Sequence, residues 1–195
     1  MSTESITQSK AAFKLGLLTV GALLACLFVL PAADGAPLQS ARVSQVIRDV
    51  RLLDSNAAVR AAALNEEVRM GMAVRTGVES RAELTFADLT ITRLGANTIF
   101  SINGNAREVN VTSGSILLEV PPKGAPATIT NRVVTAAVQG GTALFGTGPP
   151  TKFMVLEGIG TFYPTGHPEE AVTLHGGEMV MLTADGHITR QRSLM

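Results

Sequence analysis

Short runs of alternating apolar and polar residues dominate the chain. In the clearest, Arg81-Ala-Glu-Leu-Thr-Phe86, an extended backbone puts Ala82, Leu84 and Phe86 on one face and Arg81, Glu83 and Thr85 on the other. Comparable runs rich in Val, Ile and Thr fall at residues 48–53, 89–94, 98–102, 108–111, 115–120, 128–130, 132–138, 152–156, 161–163, 171–174, 178–182 and 187–189. Each predicts a strand. Asn103-Gly104, Ser113-Gly114 and Asp185-Gly186 tolerate positive φ and predict tight turns between them. Only residues 55–67 depart from this pattern. Their alanine-rich core has strong helix propensity with Ser55 as a cap, so a short helix or a surface loop is expected there. Pro121-Pro-Lys-Gly-Ala-Pro126 reads as a break between two sheets or two halves of one domain, too short for a flexible interdomain linker. No fixed-period repeat or heptad pattern is visible. The strand pattern alone is that of an all-β domain such as a β-sandwich.

The N-terminal segment follows a different rule. After a polar stretch carrying Lys10 and Lys14, residues 15–30 contain no charge, Pro31 ends the run, and small residues surround Gly35. This is the layout of a secretory signal cleaved near Ala36. Two other readings stay open: an uncleaved membrane anchor, for which the run is only just long enough, and a lipoprotein signal at Cys26, where Leu27-Phe-Val-Leu30 would sit in place of the usual polar linker. The expected division is therefore residues 1–35 as signal or anchor and 36–195 as the β domain. Any membrane contact would run through residues 15–30.

Composition narrows the function. The 195 residues are 46% hydrophobic and 16% charged, enough apolar material for a core, and the 16 basic residues balance the 16 acidic ones. A neutral chain with one Tyr and no Trp argues against nucleic-acid binding and against stacking platforms for sugars. The single Cys lies in the leader, so the β domain has no disulfide, thiol nucleophile or thiolate metal site. His167-Pro-Glu-Glu170 and His175-Gly-Gly-Glu178 each place a His near a carboxylate, and both read as surface turns whose side chains need not converge on a metal. No Gly-x-Ser-x-Gly elbow is present. Gln139-Gly-Gly-Thr-Ala-Leu-Phe-Gly146 lacks the features of a phosphate loop and reads as a turn entering a strand. Glu66-Glu67 and Glu169-Glu170 read as solvated carboxylates. Met70, Met72, Met179 and Met181 alternate, which predicts same-face core packing. No catalytic residue, cofactor or metal is expected.

Taken in order, Gly71, Val74-Arg-Thr-Gly77, Ser80, Ala82-Glu-Leu-Thr-Phe-Ala-Asp88, Thr92-Arg-Leu-Gly95, Thr98-Ile-Phe100, Gly114-Ser115, Gly141-Thr142, Leu144-Phe145, Glu157-Gly158 and Gly177-Glu178 form a longer pattern. It resembles the FecR family of extracytoplasmic sensor domains, with coverage from about Arg42 to Gly186. The resemblance implies an elongated or twisted solenoid-like stack of short strands, and it picks out Gly77, Asp88, Gly95, Gly114, Gly141, Thr142, Gly158 and Gly177 as structural motif positions. Two departures stand out. Leu89-Thr90 follows Asp88 where the family often has Gly-Ser, and Gly141-Thr-Ala-Leu-Phe145 has one residue more than the usual Gly-Thr-x-Phe. Family members of the regulatory type carry a cytoplasmic anti-sigma segment before their membrane span, whereas only fourteen residues precede the apolar run here, too few to fold around a sigma factor. The expectation is a non-enzymatic, exported interaction or sensing module of the bacterial cell envelope, periplasmic or anchored to the inner membrane. Its partner would be another envelope or outer-membrane protein, met through strand edges or loop ends. A structural or glycan-associated envelope component is the alternative.

Overall fold

The structure, a computed structural model, describes residues 38–54, 57–103 and 107–192. The chain divides into two units, Met1–Asp34 and Gly35–Met195, and every described residue belongs to the second. The readings made on residues 1–35, including the signal, the anchor and Cys26, lie outside the described residues. Among the described residues no helix is long and apolar enough to cross a membrane.

Sixteen strands make one sheet: β1 Ser40–Ile47, β2 Val50–Asp54, β3 Ala57–Ala61, β4 Glu67–Arg69, β5 Met72–Thr76, β6 Arg81–Phe86, β7 Ile91–Leu94, β8 Ile99–Asn103, β9 Glu108–Ser113, β10 Ser115–Val120, β11 Ala127–Thr130, β12 Val134–Gly146, β13 Thr151–Pro164, β14 Val172–His175, β15 Glu178–Leu182 and β16 Ile188–Arg192. The sheet has two arms because β12 is long enough to hold two neighbours on one edge. Its first half pairs with β11, which leads through β9, β8, β5 and β2 to β3. Its second half pairs with β10, which leads through β7, β6 and β1 to β4. The chain crosses repeatedly between the arms, and alternate residues of both enter one hydrophobic core. Ala82, Leu84 and Phe86 of one arm and Phe100, Ile102 and Val109 of the other are all buried in it. This is the twisted all-β stack that the resemblance implies, with both arms continuous through β12 rather than separated into two sheets. The proline-rich segment after β10 carries the chain from one arm to the other.

The crossings at one end are joined by hydroxyl groups. The Thr76 hydroxyl donates to the Gly95 carbonyl at 2.6 Å and accepts from the Thr98 amide at 2.9 Å. The Thr98 hydroxyl in turn donates to the Ser115 carbonyl at 3.1 Å and accepts the Ser115 amide at 3.0 Å. Thr76 and Thr98 are buried, so these bonds satisfy backbone groups that water cannot reach.

Two expectations are corrected. No helix forms within 57–67: Ala57–Ala61 is an edge strand paired to β2. Helix propensity is a few tenths of a kcal/mol per residue, and a docking edge outweighs it. The methionines do not share a core role either. Met72 packs against the core, Met70 is exposed, and Met179 and Met181 lie between the buried Glu178, Val180 and Leu182, on the opposite face of β15. Alternation fixes which residues share a face, not which face is inside.

Candidate functional site

The hairpin of β12 and β13 is bent by two irregularities on opposite strands. Gly140 is an extra residue in β12, between the Gln139–Ile159 and Gly141–Gly158 pairs, and Leu156 is an extra residue in β13, between Glu157 and Val155. Bulges of this kind sharpen the local twist, and here they fall where β12 changes neighbour from β11 to β10. The backbones approach so closely that glycine is required on both strands. Gly158 has φ +87°, and a Cβ there would overlap the Gly140 carbonyl oxygen. Gly141 has φ +111°, and a Cβ there would overlap the Glu157 carbonyl.

Register across this bent region builds a continuous outer face. Leu117 of β10 pairs with Leu144 of β12, Leu144 with Met154 of β13, and Met154 with Met179 of β15. Each alternates with buried neighbours, so the four side chains form one apolar row on the side away from the core. Leu144 is 41% exposed and the extra Leu156 beside the row is 36% exposed. The outer face of the other arm differs: its corresponding row is Thr130, Asn110, Ser101 and Ala73.

Charges frame the apolar row. Arg93 ends it on β7 and is held by two carboxylates, Glu83 at 2.8 Å and Glu119 at 3.0 Å. The hydrogen bond that Arg93 donates to Glu119, with the charge of Glu83, keeps the guanidinium more firmly protonated than usual. Two residues along β13 from the row in one direction stands Lys152, opposite Gly146; on the other side stands Glu157, opposite Thr142. Both are exposed, and among the described residues neither takes part in an ion pair. On the Glu157 side the face opens into a groove of about 770 Å³, lined by Leu89, Ile91, Glu119, Pro121, Thr142 and Glu157 among others. Leu89 is 71% exposed and has φ 67°, a left-handed conformation in the turn where the family often has glycine.

The eight motif positions do not converge on one point. Gly141, Thr142 and Gly158 line the groove. Gly77 donates its amide to Asp49 and Gly95 to Ser115, both at 2.8 Å, and Gly114 accepts from the Thr147 amide, so all three sit at crossings between arms. Gly177 donates to Val155 in the turn between β14 and β15. Asp88 lies in the turn between β6 and β7 and makes a cross-arm brace. Its carboxylate accepts the Thr90 amide and hydroxyl and pairs with Arg107 at 2.6 Å. Arg107 is buried just before β9 and donates Nε to the Pro126 carbonyl at 3.0 Å. Burial pushes the Asp88 carboxyl upward, but the Thr90 amide and Arg107 outweigh it and hold its pKa below the ordinary aspartate value.

The histidine readings separate in the structure. His167, Glu169 and Glu170 do converge, with ligand atoms within 4.8 Å of one another, on an exposed single-turn 3-10 segment. His175 instead donates its backbone amide to Glu178, whose carboxylate is occupied by Arg190. Sequence reasoning missed the apolar row and Arg107. The row is assembled from four strands, each giving it a single residue, and in β10 that residue, Leu117, stands between the polar Ser115 and Glu119, so no one strand shows the row in sequence.

The described residues form a two-armed all-β domain with a continuous outer face. Residues 72–159 match the model of the FecR protein family. Two crystal structures of a proposed anti-sigma factor from Parabacteroides distasonis ATCC 8503, at 1.65 and 2.50 Å resolution, share the fold, each with a TM-score of 0.55 and 18% identity. Each comparison covers 62% of this chain and 59% of the solved chain, so this chain spans well under two thirds of that protein's length. No curated protein matches the chain.

Proposed function

We propose that this protein is a non-enzymatic interaction and sensing module of the bacterial cell envelope, exported through its N-terminal segment, that binds a protein partner through the outer face of β10, β12, β13 and β15. The observation that carries this reading is the outward apolar row Leu117, Leu144, Met154 and Met179 beside the bulged hairpin, of which Leu144 is exposed, the other three are half-buried, and the first three fall within the residues that match the FecR family. Soluble domains rarely leave a contiguous apolar patch uncovered without a use for it. The strained, exposed Leu89 at the adjoining groove adds to this, since unfavourable backbone conformations persist where function retains them. The free strand edges fit the role less well. Arg60 on β3, Glu67 and Arg69 on β4, and Arg190 and Arg192 on β16 put charge where a pairing strand would arrive. In this reading the eight motif positions shape the scaffold and the row makes the contact. A glycan-associated role finds less support, because no Trp and one Tyr leave little for a sugar face to stack upon.

Photo-crosslinking in intact cells tests it. A benzoyl-phenylalanine placed at Leu144 or Leu156 of the full-length chain is expected to capture a protein, whereas the same probe at Val59 on β3 or Val78 in the turn before β6 is not. Capture from Val59 alone would move the site to the strand edge and overturn the face.

A further inference from the structure

We infer that the partner seated on this face is a second copy of the same chain, packed sheet to sheet about a two-fold axis that runs along the apolar row. The inference rests on the reading that the outer face binds a protein; what it adds is the partner's identity and the symmetry. Its basis is the placement of two unpaired charges. Along β13 the row is marked by Met154, which pairs with Leu144; Lys152 pairs with Gly146 and Glu157 with Thr142, each two residues along β12 from Leu144 in opposite directions. Lys152 and Glu157 therefore stand about equally far from the row on either side. A two-fold rotation about the row reverses the strand direction and keeps each strand over its own copy. Lys152 of one protomer then faces Glu157 of the other, and the same contact repeats by symmetry.

The neighbouring positions are compatible with this overlay. Ser115 comes opposite Glu119, and Gly146 comes opposite Thr142, a small residue facing a larger one in both cases. Leu144 and Met154 lie on the axis and meet their own copies, closing an apolar centre of the kind two packed sheets share. Arg93, which also lies on the row, does not oppose its copy as a bare charge because Glu83 and Glu119 already hold it. A different protein would need to supply its own anion and cation at this spacing. A second copy supplies both automatically.

Sedimentation equilibrium of the full-length chain in detergent, with the bound detergent mass matched out, reads the association directly. The natural sequence is expected to dimerise. Lys152→Glu, which sets glutamate against glutamate, should weaken the dimer by roughly tenfold or more, and adding Glu157→Lys should restore it to within about threefold of the natural value. Leu144→Glu should abolish it while the far-ultraviolet circular dichroism spectrum stays unchanged. A chain that sediments as a monomer at about 100 μM, a dimer that survives Leu144→Glu, or a double charge swap no better than the single one overturns the inference. If the Leu144 probe captures a different protein from a chain that is monomeric, the second copy is excluded and the interaction reading stands. If it captures nothing, both fall.

Discussion

At Gly158 the chain has no alternative to glycine. Its φ is +87°, and any Cβ would penetrate the Gly140 carbonyl oxygen of the facing strand, so a side chain must push the two strands of the long hairpin apart. Left-handed strain alone costs about 1–3 kcal/mol, and the backbone overlap adds to it. Gly158→Ala is therefore expected to lose at least ~3 kcal/mol in urea unfolding, a loss large enough to be tied to a specific mechanism. Gly71, with the same sign of φ and nothing within 4 Å of a built Cβ, serves as the comparison and should lose clearly less on the same change. Thr92 carries the opposite kind of flaw. It is fully buried on β7 and its hydroxyl has no hydrogen-bond partner among the described residues. Replacing a buried, unsatisfied hydroxyl by a methyl group of the same shape removes a desolvation cost of about 1–3 kcal/mol. Thr92→Val should raise the unfolding midpoint, and a lowered midpoint would mean that the hydroxyl is satisfied in solution.

Between elements, the Asp88–Arg107 pair ties the turn after β6 to the start of β9, and so ties one arm to the other. Because the Asp88 pKa is lowered by folding, its contribution is fully present above the ordinary aspartate value near 3.8 and is lost as pH falls through the lower folded value. Asp88→Asn should therefore be less stable than the natural protein at pH 7, with the gap closing below about pH 4 in paired denaturation curves. A gap independent of pH would assign the loss to packing rather than charge. The same brace shows what sequence reading reaches and where it stops. Strands with unbroken alternation, such as Arg81–Phe86, are legible because one face is buried and the other wet. β1 is not, because a register shift between Val43 and Gln45 breaks its alternation in mid-strand. β5 hides its inward positions behind a buried Thr76 that reads as polar. β3 reads as helix because five exposed positions leave only local propensity to read. The glycines at 141 and 158 are visible as residues, but their facing partners are not. Asp88 and Arg107 are nineteen residues apart with no periodic relation, so only the crossing between arms brings them together.

Across the whole β unit, the question is whether two arms that diverge from one hairpin unfold separately. Each arm carries its own run of paired strands, which would permit it. The core argues otherwise: Leu84 of β6 and Phe100 of β8 lie in different arms, are both fully buried, and belong to a single apolar cluster that includes Phe145, Phe153 and Phe162 of the shared hairpin. The rings of Phe153 and Phe162 stack at 6.0 Å between centroids, inside that cluster. Neither arm can bury its inward face once the other is gone, so loss of one exposes the other's apolar surface to water. Leu84→Ala and Phe100→Ala should each cost about 2–5 kcal/mol and should shift the same transition. The chain provides a convenient second probe, because Tyr163 on β13 is its one tyrosine and there is no tryptophan. Tyrosine fluorescence reports the shared hairpin and far-ultraviolet circular dichroism reports all the strands, so coincident curves for both variants would show one cooperative unit. A fluorescence transition left in place while the dichroism splits in two would show that one arm opens first, with the hairpin standing as the part that survives.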